Sequence, residues 1–551
     1  MFDFNIVRKA SSDYPKPADF HPSYGTAGFR SKATLLSSTV FRCGLLAASR
    51  AILLNSHTGL MITASHNPVD DNGVKMVDPN GGMMPQSFEA VATELANCED
   101  DDAVVAVLRD RVFSPMSSGS PRSAAGGALT VLIGHDTRPS APSLLAAALA
   151  GVRALAVHAH SYGCVTTPQL HFLVHSANQI PAAPLPQLQS YFDVIVGAFL
   201  ELTKGGELEA AGAGSNSSLL VVDCANGVGA EQLGKLVPAL ESLGVEMQLR
   251  NTGRGGGQLN YQCGADFVQK DRLLPTEMND VPVGSRCCSV DGDADRLVYF
   301  SPLKGGGISL LDGDKVAMLA AVYIRDVMEL LPAELLHDIQ VCCVQTAYAN
   351  GAATAYLQNI LRLPTVCTPT GVKYLHEAAH NADLGIYFES NGHGTVLFSK
   401  TFVERLKAME DHPAAKELLL LSQLINQTVG DAISGILLIE FILRRKRWTL
   451  QDWQALYTDL PSRQLKLQVA DRSSITTADA ERVCITPAGI QDAITRVISG
   501  FTHGRAFVRP SGTEDAVRVY AEAEIQEQAD ELARLVARIV YDMAGGVGPR
   551  P

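Results

Sequence analysis

Met61-Ile62-Thr63-Ala64-Ser65-His66-Asn67-Pro68 carries an apolar approach into a small polar turn that a proline closes. Pro68 disfavours the helical region at Asn67, so Ser65 is predicted on a turn after a strand. A serine so placed is expected to be exposed and stiffly held. Asp70, Asp71, Asn72, Gly73, Val74 and Lys75 follow as a polar turn with one cation. A lone serine in such a turn is ordinarily just turn chemistry. Ser65 gains weight only from residues elsewhere in the chain.

At 551 residues the chain exceeds what one core can serve, so roughly three to five domains are expected. A 46% apolar and 19% charged composition is that of a globular chain. The formal net charge of -13 argues against nucleic acid or an anionic membrane as partner, because both attract basic surfaces. An anionic substrate would need locally placed cations. The eleven cysteines form no C-x-x-C pair, which argues against zinc and for a reducing, cytoplasmic setting. The N-terminus reads as no signal peptide. Ile433 to Leu443, the most apolar run, is too short to span a bilayer and is predicted as a buried helix.

Alternating strand and helix patterns predict an α/β chain with four domains, at 1–190, 191–300, 301–445 and 446–551. Strands are expected at 129–134 and 297–300, a strand running into a tight turn at 219–227, and a helix at 231–243. Thr39 to Leu54 has helical apolar spacing, and Val517 to Glu522 alternates as a strand. Ser/Gly-rich stretches at 114–128 and 205–217 read as surface insertions without chemistry. Arg138 is expected to be a structural partner of a carboxylate.

Three constellations carry chemistry. In Asp291-Gly292-Asp293-Ala294-Asp295-Arg296 the acids are two apart, so an extended segment would put all three carboxylates on one face. Hard anionic oxygens in that number suit Mg²⁺. A calcium EF-hand needs glycine and glutamate where Arg296 and Pro302 stand. The bland alternative is a solvated acidic turn. Arg509-Pro510-Ser511-Gly512-Thr513, with Arg518 beyond, offers donors suited to a phosphate, although turn chemistry alone explains such a run about as well. Glu389 and Asn391, with His393, sit on a glycine-rich loop. Their mix of acceptor, amide and imidazole suits sugar hydroxyls, while a lone histidine there is more often structural. A serine, a metal loop, a phosphate clamp and a hydroxyl-reading loop together fit phosphoryl transfer, which is mainly positioning and charge neutralisation.

Five motifs then resemble the α-D-phosphohexomutase superfamily, and most closely its N-acetylglucosamine branch: YGTAGFR at 24–30, TASHNP at 63–68, DGDADR at 291–296, ESNGHGT at 389–395 and RPSGTEDAVRVYAEA at 509–523. The resemblance implies three related mixed α/β domains plus a smaller C-terminal α+β domain. It implies a phosphomutase interconverting N-acetylglucosamine 6-phosphate and 1-phosphate through a bisphosphate, toward UDP-N-acetylglucosamine. Ser65 would be the phosphoserine, with Lys75, Arg30 and His66 near it. Mg²⁺ would be held by Ser65, Asp291, Asp293 and Asp295. Glu389, Ser390 and Asn391 would read the sugar. Arg509, Pro510, Ser511, Gly512, Thr513 and Arg518 would hold the phosphate that is not transferred. Ser390 departs from the alanine usual in the motif, a change that a backbone contact survives. A mutase for glucose, mannose or glucosamine phosphate, or a silent phosphoserine scaffold, are the alternatives.

Overall fold

The computed structural model describes residues 3–25, 27–114, 129–180, 183–204, 218–512 and 514–551. Thr513 and, apart from Ser114, both insertions at 114–128 and 205–217 lie outside the described residues. Two compact units are present. The first comprises residues 1–312, 391–395 and 417–449, and the second comprises 313–390, 396–416 and 450–551.

The first unit holds two five-stranded sheets. One has the order β1-β3-β2-β4-β5, from Phe29–Lys32, Thr58–Ile62, Asp71–Val77, Thr130–His135 and His158–Cys164 numbered in chain order. β2 is buried along its whole length, as its apolar run requires, and pairs in parallel with β4 and antiparallel with β3. The stretch expected to be a polar turn is therefore mostly strand. Asn72 to Val77 are buried in β3, and the alternation of Val74 and Met76 with Lys75 is the reason.

Helix Ser37–Leu54 covers this sheet and lies against helix Ala141–Ala154. Glycines make the approach possible. A Cβ at Gly151 would sit 2.0 Å from the Phe41 carbonyl oxygen, and one at Gly44 would sit 2.4 Å from that of Ala148. Phe41, Leu45 and Ala48 of the first helix, and Ala147, Ala148 and Val152 of the second, fill the seam. Helix Ser37–Leu54 is long and apolar enough to cross a membrane, but 78% of that window is buried inside the fold, which makes it a core helix.

The second sheet has the order β10-β9-β8-β6-β7, from Leu219–Asp223, Glu246–Arg250, Arg286–Val290, Leu297–Pro302 and Ile308–Leu311 as β6 to β10. β6 pairs in parallel with both β7 and β8, as its β-turn-α pattern predicts. The helix expected at 231–243 is broken into Gly229–Leu233 and Val237–Glu241. Pro238 lacks the N–H that a continuous helix would need there. Helix Ala432–Lys446 is buried, as expected.

In the second unit, Val341–Thr346, Thr365–Thr368, Leu384–Phe388 and Gly394–Phe398 form β11 to β14 in the order β12-β11-β13-β14. The unit division places Gly394 and Thr395 with the first unit. A C-terminal sheet has the order β15-β19-β18, from Ser462–Gln468 (β15), Arg505–Pro510 (β18) and Ala516–Glu522 (β19). Thr476–Ala478 and Val483–Thr486 pair as a separate hairpin, β16 and β17. The alternation expected for β19 is absent, because only Arg518 is exposed. As the central strand, β19 packs Val517, Val519 and Ala521 under helix Gln526–Met543, and Tyr520 lies with Phe507 against Ala347 and Tyr348.

Replacing Gly151 with valine should force the two core helices apart. A loss of about 3 kcal/mol is expected for such overpacking, read from chemical denaturation midpoints.

Candidate active site

Ser65 follows β2 on the expected turn, but it is not exposed. Its relative accessibility is 1% and its φ is +51°. A non-glycine residue in the left-handed region costs roughly 1–2 kcal/mol and persists only where its surroundings hold it. Those surroundings are explicit. The Ser65 N–H donates to Thr63 Oγ1 at 3.0 Å, and Thr63 Oγ1 donates to Asp136 at 2.7 Å. Arg138 is fully buried and pairs with Asp136 at 3.0 Å. Its guanidinium also donates to the carbonyls of Ser65 at 3.1 Å, Asn67 at 2.8 Å, Asp71 at 2.8 Å and Pro68. Asn260, from the loop after β7, donates to the Ser65 carbonyl at 2.8 Å and to that of Asn67 at 3.1 Å. Arg138 is thus the predicted partner of a carboxylate and also the staple of the serine loop. Asn260 was invisible in the sequence, since it lies 195 residues from Ser65.

The aspartates converge by a route other than the expected one. The segment is not extended. It is a turn after β8, with Ala294 at φ +56° and the Ala294 N–H donating to the Asp291 carbonyl at 3.1 Å. Carboxylate oxygens of Asp291, Asp293 and Asp295 nevertheless lie within 4.8 Å of one another, all buried. Backbone N–H groups of Asp295 and Arg296 donate to Asp291 Oδ1 at 3.1 and 3.2 Å. Thr167 Oγ1 donates to Asp293 Oδ2 at 2.6 Å. Ser65 Oγ donates to Asp291 Oδ2 at 2.6 Å, which joins the two sheets' loops in one site.

The charges in this site are unbalanced. Burial and the neighbouring Asp295 and Asp293 push the Asp291 carboxyl far above its usual range. Burial pushes Asp295 up too, but His393, Lys75 and Arg296 outweigh it and hold Asp295 well below that range. Lys75 reaches in from β3, its Nζ 3.1 Å from Asp293 and 3.2 Å from Asp295. Burial alone would depress the Lys75 ammonium, yet these two aspartates raise it. Burial and the nearby Arg296 and Arg30 keep His66 neutral, with its Nδ1 3.4 Å from Ser65 Oγ. Asp293 Oδ1 and Asp295 Oδ1 are buried without a hydrogen-bond partner, as is Arg30 Nε. Orphaned carboxylate oxygens beside a like-charged neighbour fit a divalent cation, and an orphaned guanidinium nitrogen fits an added anion.

The 389–395 motif is a hairpin turn between β13 and β14. Gly392 is tied to the aspartate loop by the Leu297 N–H at 3.1 Å, and His393 bridges to Arg296 with its Nδ1 3.8 Å from Asp295. His393, weighed above as structural, therefore belongs to the charge balance of the triad. Asn391 Oδ1 accepts the His393 N–H at 2.9 Å. Glu389 and Ser390 fall in the second unit, where Ser390 Oγ donates to Asp314 at 3.4 Å.

Arg509 and Pro510 end β18, with Ser511 and Gly512 in the turn beyond, so the second unit carries this whole segment. Arg509 stands directly opposite Arg518, which stands opposite Lys466 of β15. Like charges in cross-strand register repel, so this row of cations suits an anion. Lys466 was not read from sequence, because only the pairing of β15 with β19 brings it there.

The phosphoglucomutase/phosphomannomutase models match at both ends, with α/β/α domain I at 44–102 and 117–183 and the C-terminal domain at 488–539. With the serine turn and the aspartate loop in place, these matches define the class as a phosphohexomutase. Domains II and III of phosphoacetylglucosamine mutase AMG1 match residues 181–298 and 312–448. The human phosphoacetylglucosamine mutase is 45% identical over 100% of this chain and 99% of its own length. The Saccharomyces cerevisiae protein of that name is 40% identical, covering 95% of this chain and 96% of its own. An Aspergillus fumigatus N-acetylphosphoglucosamine mutase, solved with GlcNAc-6P and magnesium, is 41% identical with a TM-score of 0.88, over 98% of this chain and 99% of that one. This chain belongs to the phosphoacetylglucosamine mutase family.

Arg138→Met should leave Asp136 as a buried, unpaired charge and lower stability by about 3–5 kcal/mol. Chemical denaturation measures this, and Asp136→Asn added to that variant should recover part of the loss.

Proposed function

We infer that this chain interconverts N-acetylglucosamine 6-phosphate and N-acetylglucosamine 1-phosphate through a sugar bisphosphate. The observation that carries the reading is Ser65 Oγ hydrogen-bonded at 2.6 Å to Asp291, one of three buried aspartates with converging carboxylates. Full-length likeness to the relatives above supports the substrate. A related Aspergillus fumigatus mutase has also been solved with glucose 1,6-bisphosphate.

In the forward direction the Ser65 phosphoryl group passes to the sugar O1. The O1–P bond forms, the Ser65 Oγ–P bond breaks, and the O1 proton leaves to a base. The 1,6-bisphosphate then reorients. Ser65 Oγ takes the 6-phosphoryl group, O6 regains a proton, and the 1-phosphate is released with the phosphoserine restored. Mg²⁺ fits Asp291, Asp293 and Asp295 beside Ser65, where it supplies neutralisation of phosphoryl charge. Lys75, charged and buried, neutralises Asp293 and Asp295, and Arg30 offers its unmatched Nε to phosphoryl oxygens. The ring of His66, within reach of Ser65 Oγ, can hydrogen-bond there, but the burial and the arginines that keep it neutral make it a poor base. Glu389, Ser390 and Asn391 read the sugar, and Arg509, Pro510, Ser511, Gly512, Thr513 and Arg518 hold the phosphate not being transferred.

These roles divide among a phosphoserine domain (1–190), a metal domain (191–300), a sugar domain (301–445) and a C-terminal phosphate domain (446–551). The partner is a small sugar phosphate, and free cysteines throughout the described residues favour a cytoplasmic setting.

Ser65→Ala should abolish turnover, whereas turnover that persists in this variant would exclude Ser65 as carrier. In a panel of N-acetylglucosamine, glucose, mannose and glucosamine phosphates, the acetylated sugar should be turned over fastest. Asp293→Asn should depress activity and metal affinity far more than folding, and excess chelator should silence the wild type. Arg518→Ala should weaken sugar-phosphate affinity about ten- to a hundredfold, the value of a charge-assisted fork. A calorimetric titration measures that loss.

A further inference from the structure

One carboxylate in the second unit is committed in a way that neither an ordinary surface ion pair nor a packing role explains. Glu481 lies at the tip of the β16–β17 hairpin. Its Oε1 accepts from Arg509 Nε at 2.9 Å, and its Oε2 accepts from the Thr370 N–H at 3.0 Å and from Thr370 Oγ1 at 2.5 Å. Both side chains of the ion pair are largely covered, at 16% exposure for Glu481 and 23% for Arg509.

The tip itself is strained. Asp479, Ala480 and Glu481 have φ of +52°, +53° and +69°, three consecutive left-handed residues, none of them glycine. Arg482 staples this turn, donating from Nε to the Asp479 carbonyl at 3.1 Å and from Nη2 to the Asp479 carboxylate at 2.6 Å. Strain of this kind persists where the surroundings over-determine it, and it clusters at sites that need a group held in one place. The group held here is the Glu481 carboxylate.

The chemistry of the pairing follows from guanidinium geometry. Arginine offers five N–H donors in a planar fork. A carboxylate that takes Nε leaves the paired terminal nitrogens as the edge for a phosphate. Glu481 also supplies negative charge beside Arg509 in the row Lys466, Arg518, Arg509, whose like charges would otherwise splay. Lys466 has its own partner in Glu514 at 2.7 Å. Burial would depress the Arg509 guanidinium, and Glu481 raises it instead.

We propose that Glu481 is a positioning residue for phosphate capture, orienting Arg509 through Nε and tying it to the Thr370 loop that follows β12. The proposal rests on the reading of Arg509 as a ligand of the phosphate not being transferred.

The test is steady-state kinetics of the full chain with Mg²⁺ and N-acetylglucosamine 6-phosphate. It compares wild type, Glu481→Ala, Glu481→Gln, Arg509→Ala and the Glu481→Ala/Arg509→Ala double variant. Glu481→Ala should raise KM about tenfold, as for loss of one charge-assisted hydrogen bond, with a much smaller change in kcat. In the double variant KM should rise no further than in Arg509→Ala alone, because Glu481 acts through that arginine. Glu481→Gln should recover part of the affinity, since its amide oxygen still accepts from Nε while its NH2 meets the Thr370 donors. An unchanged KM in Glu481→Ala, or additive losses in the double variant, would overturn the proposal while leaving the clamp intact. An unchanged KM in Arg509→Ala would instead remove the clamp reading and the proposal with it. If Glu481→Ala fails to fold, Glu481→Asp carries the same cycle, because it is too short to reach Arg509 and Thr370 together.

Discussion

Three carboxylates within 4.8 Å of one another, all buried, are the constraint on which the catalytic half of this protein depends. Such an arrangement is unstable by itself, because each charge raises the cost of the next. Lys75, Arg296 and His393 offset part of it, each from a different stretch of chain. Two carboxylate oxygens remain without a hydrogen bond. A site of this kind binds a cation strongly because the fold has already brought its anions together.

The serine loop shows the same logic with backbone strain in place of charge. Ser65 is held in a left-handed conformation and its hydroxyl meets Asp291. Arg138 and Asn260 make this possible by filling the carbonyl oxygens of the turn, one from the first sheet's loops and one from the second's. Rigidity of this order suits a group that must give up and recover a phosphoryl group in one geometry.

In the second unit the sheet pairing performs the equivalent task. Register places Arg509, Arg518 and Lys466 in one row across three strands, and carboxylates at Glu481 and Glu514 keep that row from repelling itself. The β19 core of Val517, Val519 and Ala521 under the last helix gives the row a stiff base. A row of cations arranged in this way suits an anion before one arrives.

Sequence by itself determined the local events. Pro68 placed Ser65 on a turn, the apolar runs gave β2, β6 and the buried helix Ala432–Lys446, and the acidic run brought three carboxylates together. These are decided over a few residues, where steric and periodic rules act. It erred where neighbours in space outvote neighbours in sequence. Ser65 is buried and not exposed, the Asp70 to Lys75 stretch is strand from Asp71 onward and not a polar turn, and the aspartates meet through a turn with Ala294 left-handed and not along an extended face. The second half of each contact was out of reach altogether. Asn260 on the Ser65 carbonyl, Lys466 beside Arg518 and Glu481 on Arg509 depend on loop closure and strand register, and those are settled only when the sheets pack.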